Sequence, residues 1–383
     1  MVSRLQGYIG WNRVQEVLVH RNPWVRGLTV LALCVAVGFP VGALIGLLGP
    51  LYGSAVLLAL IAGYAMLRST IIGLLAVIAV ICLLPFAALP IDIGFSPTFL
   101  DLALAMVFFV WITQMAGQKD YAFLALPPIL PVIAFLGLAV VSFIAGLTHA
   151  ALTANVARHF GEIMMSVLLF VLVTNVVRTR AQLKLILGAI IVAGFIAALV
   201  GVVLYVLPDT FEVRILSALR VVRYPTGDGV LRYVEDNPDL AQRAISTSVD
   251  PNVLGGMLVF ICTLTGAQLL AARPILPRGW LIGGFGVMVL CMVLTYSRGA
   301  FGGMAGALVL LGLLRYRRML LIFALAMALL LLLPAAEPYI ERFVEGIQGQ
   351  DQATQMRIGE YRDAITLIGR YPWFGVGFAG TPE

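Results

Sequence analysis

Arginine supplies all the basic residues of two long polar segments in this 383-residue chain, 208–252 and 335–383, and of a short turn at Arg298. The planar guanidinium group binds phosphate and carboxylate through paired hydrogen bonds and stays charged at any working pH. Such a set therefore suits a pyrophosphate or acidic-sugar ligand, unless the arginines pair with acidic side chains of the same segments. The set comprises Arg214, Arg220, Arg223, Arg232, Arg243, Arg298, Arg342, Arg357, Arg362 and Arg370.

Arg298 differs from the others because it lies between two apolar runs that are almost contiguous, in LTYSRGAFGG. A charge within a membrane costs roughly 2.5–3.5 kcal/mol at a helix centre and less near the surface. Small residues such as Gly299, Ala300 and Gly303 would permit a tight hairpin at this point. The position favours a functional role, although a long basic side chain can also extend to lipid headgroups.

Arg243 begins RAISTSVDPNVLGG, where a polar segment returns to an apolar one. Asp250, Pro251 and Asn252 are predicted to cap the following helix, since Asp and Asn accept from free backbone N–H groups and proline favours the first turn. A helix N-terminus is also a ready anion site, so capping and binding are compatible.

Other kinds of chemistry find little support in the sequence. No Walker A, HExxH or paired Cys/His spacing is present, so no cofactor or metal site is predicted. The four cysteines lie in apolar runs and are predicted to be buried, unpaired thiols. The histidines (His20, His149 and His159) are expected to be solvated loop residues. The net charge of +6 is spread over short gaps rather than clustered, which argues against nucleic-acid binding.

Composition predicts an all-α, polytopic transmembrane helical bundle to position these residues. The chain is 61% hydrophobic and 11% charged, with a mean hydropathy of +1.02, whereas soluble domains carry about 25% charged residues. At about 20 apolar residues per span, eleven spans are predicted, at 27–48, 51–67, 70–89, 102–116, 122–147, 161–177, 183–207, 253–272, 280–297, 300–314 and 319–334.

The predicted organisation has five parts. These are a cytoplasmic N-terminal tail at 1–26, about seven spans at 27–207, a large periplasmic loop at 208–252, four spans with the Ser-Arg-Gly-Ala hairpin at 253–334, and the start of a second large periplasmic loop at 335–383. The chain ends in this loop without a returning helix, so we expect the intact chain to continue, with twelve or more spans. Residues 5–18 fit either an interfacial helix or a frayed tail.

Orientation follows from the short, basic, nearly acid-free connections, which mark the cytoplasmic side. They contain Arg68, Lys119, Arg178, Arg180, Lys184, Arg273, Arg278, Arg315, Arg317 and Arg318.

The two long outer segments are expected to form amphipathic helices packed on the outer mouth of the bundle, from the spacing of their apolar residues. These are Phe211, Ile215, Leu219 and Val222 in the first, and Tyr339, Phe343, Ile347, Tyr361, Ile365 and Ile368 in the second. Within the spans, Pro40 and Pro85 are expected to kink helices.

Three segments in order resemble the O-antigen ligase and polymerase family of bacterial membrane glycosyltransferases: RAISTSVDPNVLGG (243–256), TYSRGA (295–300) and RIGEYRDAITLIGRYPWFGVGF (357–378). The chain departs from the family pattern in having Ser-Thr-Ser where Gly-Thr is frequent and Tyr361 where Trp is commoner. The resemblance implies a GT-C-like fold, in the bacterial inner membrane, with a periplasmic active face. It also implies metal-independent transfer of a glycan from undecaprenyl pyrophosphate to a hydroxyl of lipid A-core, a growing polysaccharide or protein.

The same resemblance implies that Arg243 and Arg298 hold the pyrophosphate leaving group, while Arg357 and Tyr361 organise the outer loop or touch substrate. The family's general base is a histidine farther along the second loop. No histidine follows His159 here, so either the base lies after Glu383, where we expect it, or this protein uses another group, and activity of residues 1–383 alone is not assumed.

Two alternatives remain open at this stage. A transporter or flippase of an anionic lipid-linked glycan could use the same arginines for binding, although the two halves show no convincing repeat. A membrane scaffold with a folded outer cap would leave Arg298 without a purpose.

Overall fold

A computed structural model describes residues 23–90, 92, 94–117, 123–149, 151–316, 348 and 352–378. The predictions for the N-terminal tail up to residue 22, the span 319–334, Arg342 and the apolar residues 339–347 lie outside this range. The all-α prediction is confirmed. The helices are α1 (Pro23–Arg68), α2 (Thr70–Leu83), α3 (Phe99–Gly117), α4 (Ile129–Gly146), α5 (Ala154–Val176), α6 (Arg180–Val206), α7 (Asp209–Ala218), α8 (Pro251–Leu270), α9 (Arg278–Leu294), α10 (Arg298–Leu314) and α11 (Gln352–Arg370).

The chain divides into two compact units, Met1–Arg68 and Ser69–Glu383. In the first unit, α1 is continuous apart from Gly49, whose backbone is non-helical (φ 79°, ψ 164°). Glycine tolerates this left-handed φ because it has no Cβ atom. The break lies between the two spans predicted for this region.

The second unit contains helices that are able to cross a membrane. Five described helices, α3, α4, α5, α6 and α8, are long and apolar enough to do so by length and composition. Shorter apolar helices include α2, α9 and α10. Many of their large apolar side chains are exposed, as lipid-facing side chains must be. These features confirm a polytopic membrane architecture.

Several helix boundaries differ from the predicted spans, with local reasons. Helix α2 ends at Leu83, because Pro85 disfavours helix in the preceding residue; the predicted kink inside a longer span was wrong. Helix α4 begins at Ile129, after Pro127 and Pro128, rather than near residue 122. Helix α5 begins at Ala154, earlier than predicted, where the Thr153 hydroxyl accepts from the Val156 amide at 3.2 Å.

The buried core of this unit joins α8, α9 and α10 to α6 and α2. Leu254 and Leu258 of α8 pack there with Met288 and Cys291 of α9. Cys82, Cys262 and Cys291 are buried and unpaired, which confirms the prediction for the cysteines whose side chains are described. This core holds the starts of α8 and α10 side by side.

Both long polar segments form helices in the described residues, and the buried face predicted for the first was partly wrong. In α7 the buried side chains are Glu212 and Leu216, whereas Phe211 and Ile215 are exposed. Leu216 packs in a small cluster with Leu204, Val230 and Ile245, and Leu219 packs against the same cluster, as predicted. In α11, Tyr361, Ile365 and Ile368 are 65%, 69% and 66% exposed, so the described residues do not cover them.

Candidate functional site

Arg243 lies where the first outer segment packs on the turn between α9 and α10. The Ala244 amide donates to the Leu294 carbonyl, and Nε of Arg243 donates to the Thr295 carbonyl, both at 2.8 Å. Two sequence segments fifty residues apart are therefore joined beside Arg298, the first residue of α10. Arg243 and Arg298 are both half-buried, and the backbone of each lies at this junction.

The start of α8 completes the junction. Oδ1 of Asp250 accepts from the amides of Asn252 (2.7 Å) and Val253 (3.0 Å), which confirms the predicted cap with Pro251 in the first turn. Asn252 in turn accepts from Nη2 of Arg243 at 3.0 Å. The Asp250 carboxylate therefore accepts the hydrogen bonds of both amides, which are not free to bind another anion. The positive charge beside the start of α8 is the guanidinium group of Arg243.

The turn before α10 is tight and internally bonded. The Thr295 hydroxyl donates to the Met292 carbonyl at 2.7 Å and accepts from the Ser297 amide at 3.3 Å. A Cβ atom added to Gly255 would lie 2.9 Å from Cβ of Ala300, closer than real Cβ atoms approach. Glycine at this position therefore allows α8 to approach the turn that precedes Arg298, a contact that the sequence did not predict.

Strained backbone surrounds Arg243. Ser246 (φ 51°), Val249 (φ 57°) and Tyr296 (φ 49°) all adopt left-handed conformations without being glycine. Such residues cost about 1–3 kcal/mol each and persist where the surroundings fix them. The Ser246 hydroxyl donates to the Ala197 carbonyl of α6 at 2.8 Å, which ties the segment to the transmembrane core.

A supporting layer behind Arg243 was not predicted. The Arg243 amide donates to the Arg232 carbonyl at 2.8 Å, and Nε of Arg232 donates to the Val249 carbonyl at 3.3 Å. Gln242 donates from Nε2 to Oε2 of Glu212 at 2.5 Å. Arg232 was recognised only as one of many outer arginines. Glu212 was overlooked because the larger apolar neighbours in α7 suggested the wrong buried face.

Glu212 is a buried carboxyl group, only 1% exposed. Burial raises the pKa of Glu212 to about 7, the Gln242 hydrogen bond acts in the opposite direction, and the Asp209 carboxylate adds to the rise. This side chain changes charge near neutral pH while holding the residue next to Arg243.

Arg357 and Tyr361 lie elsewhere on the described molecule. Both are exposed on α11.

The turn that follows α11 packs against α4: the Ser142 hydroxyl donates to the Phe374 carbonyl at 2.7 Å. Here two backbones cross, since a Cβ atom on Gly146 would lie 2.4 Å from Cα of Gly377. The described contacts therefore bring Arg243 to the turn that precedes Arg298, whereas Arg357 and Tyr361 are described only as exposed residues of α11.

His149 lies in the turn after α4, as predicted, whereas His159 lies inside α5 and not in a loop, so that prediction was wrong. The His149 ring meets Tyr371 edge-on, with centroids 5.0 Å apart. Nδ1 of His159 lies 3.7 Å from Glu162, beside Arg158, which is paired with Asp101 at 2.8 Å. Among the described residues, no group of three or more His, Cys, Asp or Glu side chains is arranged to hold a metal ion.

The C-terminal part of the chain is similar in sequence to a known protein family. Residues 283–383 match the family model described as O-antigen ligase. Comparisons with curated proteins and with solved structures gave no match. The match confirms the family resemblance for the segments 295–300 and 357–378. It covers α10 with its preceding turn and the 357–378 motif, whereas the Arg243 segment precedes it.

Proposed function

We propose that this protein, whose residues 283–383 carry the O-antigen ligase family signature, transfers a glycan from undecaprenyl pyrophosphate to an acceptor hydroxyl. The family match supports glycosyltransfer of O-antigen ligase type in general. The lipid-pyrophosphate donor and an acceptor on lipid A-core, a growing polysaccharide or protein are the finer parts of the proposal.

The junction of Arg243 with the turn before Arg298 is the observation that carries the proposal. When the bond between the sugar and the phosphate oxygen breaks, negative charge builds on the departing pyrophosphate. Guanidinium groups neutralise phosphate oxygens through strong, charge-assisted hydrogen bonds. Arg243 is already fixed by Thr295 and Asn252, so little reorganisation is needed when that charge develops.

The placement of the polar segments supports an active face at one end of the helices. The Ala88 amide donates to the Val222 carbonyl at 2.9 Å, which joins the segment after α2 to the outer segment that carries Arg243. At the other end, the Leu124 amide donates to Oδ1 of Asn175 at 2.7 Å. With the basic connections cytoplasmic, the arginine end is periplasmic in a bacterial inner membrane, and Arg357 and Tyr361 organise the second outer loop.

Reconstituted protein given an undecaprenyl-pyrophosphate-linked oligosaccharide and an acceptor glycan tests the proposal. We expect transfer by the wild type, a large loss in Arg243→Ala, and less loss in Arg243→Lys, which keeps the charge but not the paired geometry. Arg214→Ala is the matched control, because Arg214 is an exposed arginine of the same outer segment.

Two results would reject the proposal. Equal transfer by Arg243→Ala and Arg214→Ala would remove the arginine junction from the reaction. Movement of the lipid-linked glycan across the vesicle membrane without transfer to any acceptor would favour a transporter.

A further inference from the structure

Helix α11 carries an apolar stripe that the described residues leave uncovered. Ile358, Tyr361, Ile365 and Ile368 follow one another at intervals of three, four and three residues, which places them on one helix face. All four are exposed. Exposed apolar stripes of this kind mark interaction surfaces rather than solvated helix faces.

The charges of α11 are arranged around this stripe in a specific way. At about 100° per residue, Arg357 lies about 60° from the centre of the stripe on one side, and Arg362 about 80° on the other. Glu360 and Asp363 lie farther round, about 120° and 180° from the centre. Arg357 and Arg362 therefore border the apolar face, whereas Arg370, about 160° from its centre, lies on the far side with both acids. This arrangement of side chains fits a membrane surface, where acyl chains lie beneath the helix and anionic headgroups lie along its sides.

The end of α11 is anchored at the end of a membrane-spanning helix. The turn after it crosses Gly146, the last residue of α4, and Gly377 adopts a left-handed φ of 77° at this crossing. Trp373, 88% exposed, and the exposed Phe374 lie in the same turn. Tryptophan and other aromatic side chains are enriched where apolar chains meet lipid headgroups.

We propose that α11 lies in the plane of the membrane surface at this end of α4, with its apolar stripe in the acyl-chain boundary. Arg357 and Arg362 then reach lipid phosphates on either side, and the acids face water. With three arginines and two acids in 19 residues, α11 is too polar to span the bilayer. This inference does not depend on the proposed glycan transfer.

Nitroxide labels on single cysteines test the placement in vesicles of phosphatidylethanolamine and phosphatidylglycerol. Ile365→Cys reports on the stripe, and Asp363→Cys, on the opposite face of the same helix, is the matched control. Both positions are exposed, so neither label disturbs packing among the described residues. Wild type treated with the same nitroxide reagent corrects for labelling of its own cysteines, of which Cys82, Cys262 and Cys291 are buried.

We expect the label at 365 to collide readily with oxygen, which concentrates in acyl chains, and to be shielded several-fold from a water-soluble nickel complex. The label at 363 should show the reverse. Replacing Arg357 and Arg362 with glutamine should reduce the difference between the two labels. Equal nickel accessibility at 363 and 365 would overturn the proposal in favour of a solvated helix. Shielding of residue 365 from both reagents would overturn it in favour of a protein partner or another part of the chain.

Discussion

Neutralising Glu212 should stabilise the segment that carries Arg243, and only at higher pH. A rise of its pKa from 4.5 to about 7 corresponds to about 3 kcal/mol. Below pH 4.5 the carboxyl group is protonated in both folded and unfolded states, so folding carries no penalty. Between pH 4.5 and 7 the unfolded state loses its proton while the folded state keeps it. Stability therefore falls as pH rises, and the full penalty applies above pH 7.

Glu212→Gln removes this titration while keeping an oxygen that can accept the Gln242 hydrogen bond. Hydrogen exchange of the Ala244 amide, which donates to the Leu294 carbonyl, measures opening of the segment. Comparison at equal pH cancels the intrinsic pH dependence of exchange. We expect similar protection in the variant and wild type near pH 4.5. At pH 8 the variant should be better protected, by up to about three-hundredfold.

Glu235→Gln is the matched control, because Glu235 is an exposed acid in the same outer segment. In this variant, protection of the Ala244 amide from hydrogen exchange, relative to wild type, should not change with pH. If the relative protection of Glu212→Gln were also independent of pH, the carboxyl group would not be held protonated by burial, and the reasoning would fail.

Two pairs of glycine substitutions test close packing. Gly255→Ala should lower the melting temperature because its Cβ atom would be forced against the turn before α10, whereas Gly256→Ala, which meets no atom within 4 Å, should raise it through helix propensity. Shifts in the same direction would contradict the geometry at that turn. Gly146→Ala should loosen the segment 371–378 and speed its hydrogen exchange, whereas Gly137→Ala in the same helix has open space and should not. Equal exchange in these two variants would show that the segment is not anchored on α4.

The sequence predicted the membrane architecture and the junction motifs because their signals are local. Long apolar runs predict spans whatever their neighbours, and the order Asp250-Pro251-Asn252 predicts a cap from the hydrogen-bonding needs of one helix end. The small residues predicted to form the turn, such as Gly299, lie instead inside α10, and the turn itself is made by residues 295–297.

The supporting layer escaped prediction because it depends on contacts between distant segments. Which face of α7 is buried depends on Leu204 and Ile245, and no periodicity within α7 contains that information. The hydrogen bond between Gln242 and Glu212 joins residues thirty positions apart. The spacing in α11 correctly predicted an amphipathic helix, but spacing alone does not say whether the apolar face meets protein or lipid.

The most direct test of the account is the rate of glycan transfer by Arg298→Ala compared with Arg214→Ala, with thermal melting followed in parallel. Removal of one group that stabilises developing charge lowers rates by about 10²–10³. We predict a loss of this order for Arg298→Ala with an unchanged melt, and near wild-type transfer for Arg214→Ala. Equal rates in the two variants, both folded, would contradict the claim that the junction of Arg243 and Arg298 binds the departing pyrophosphate.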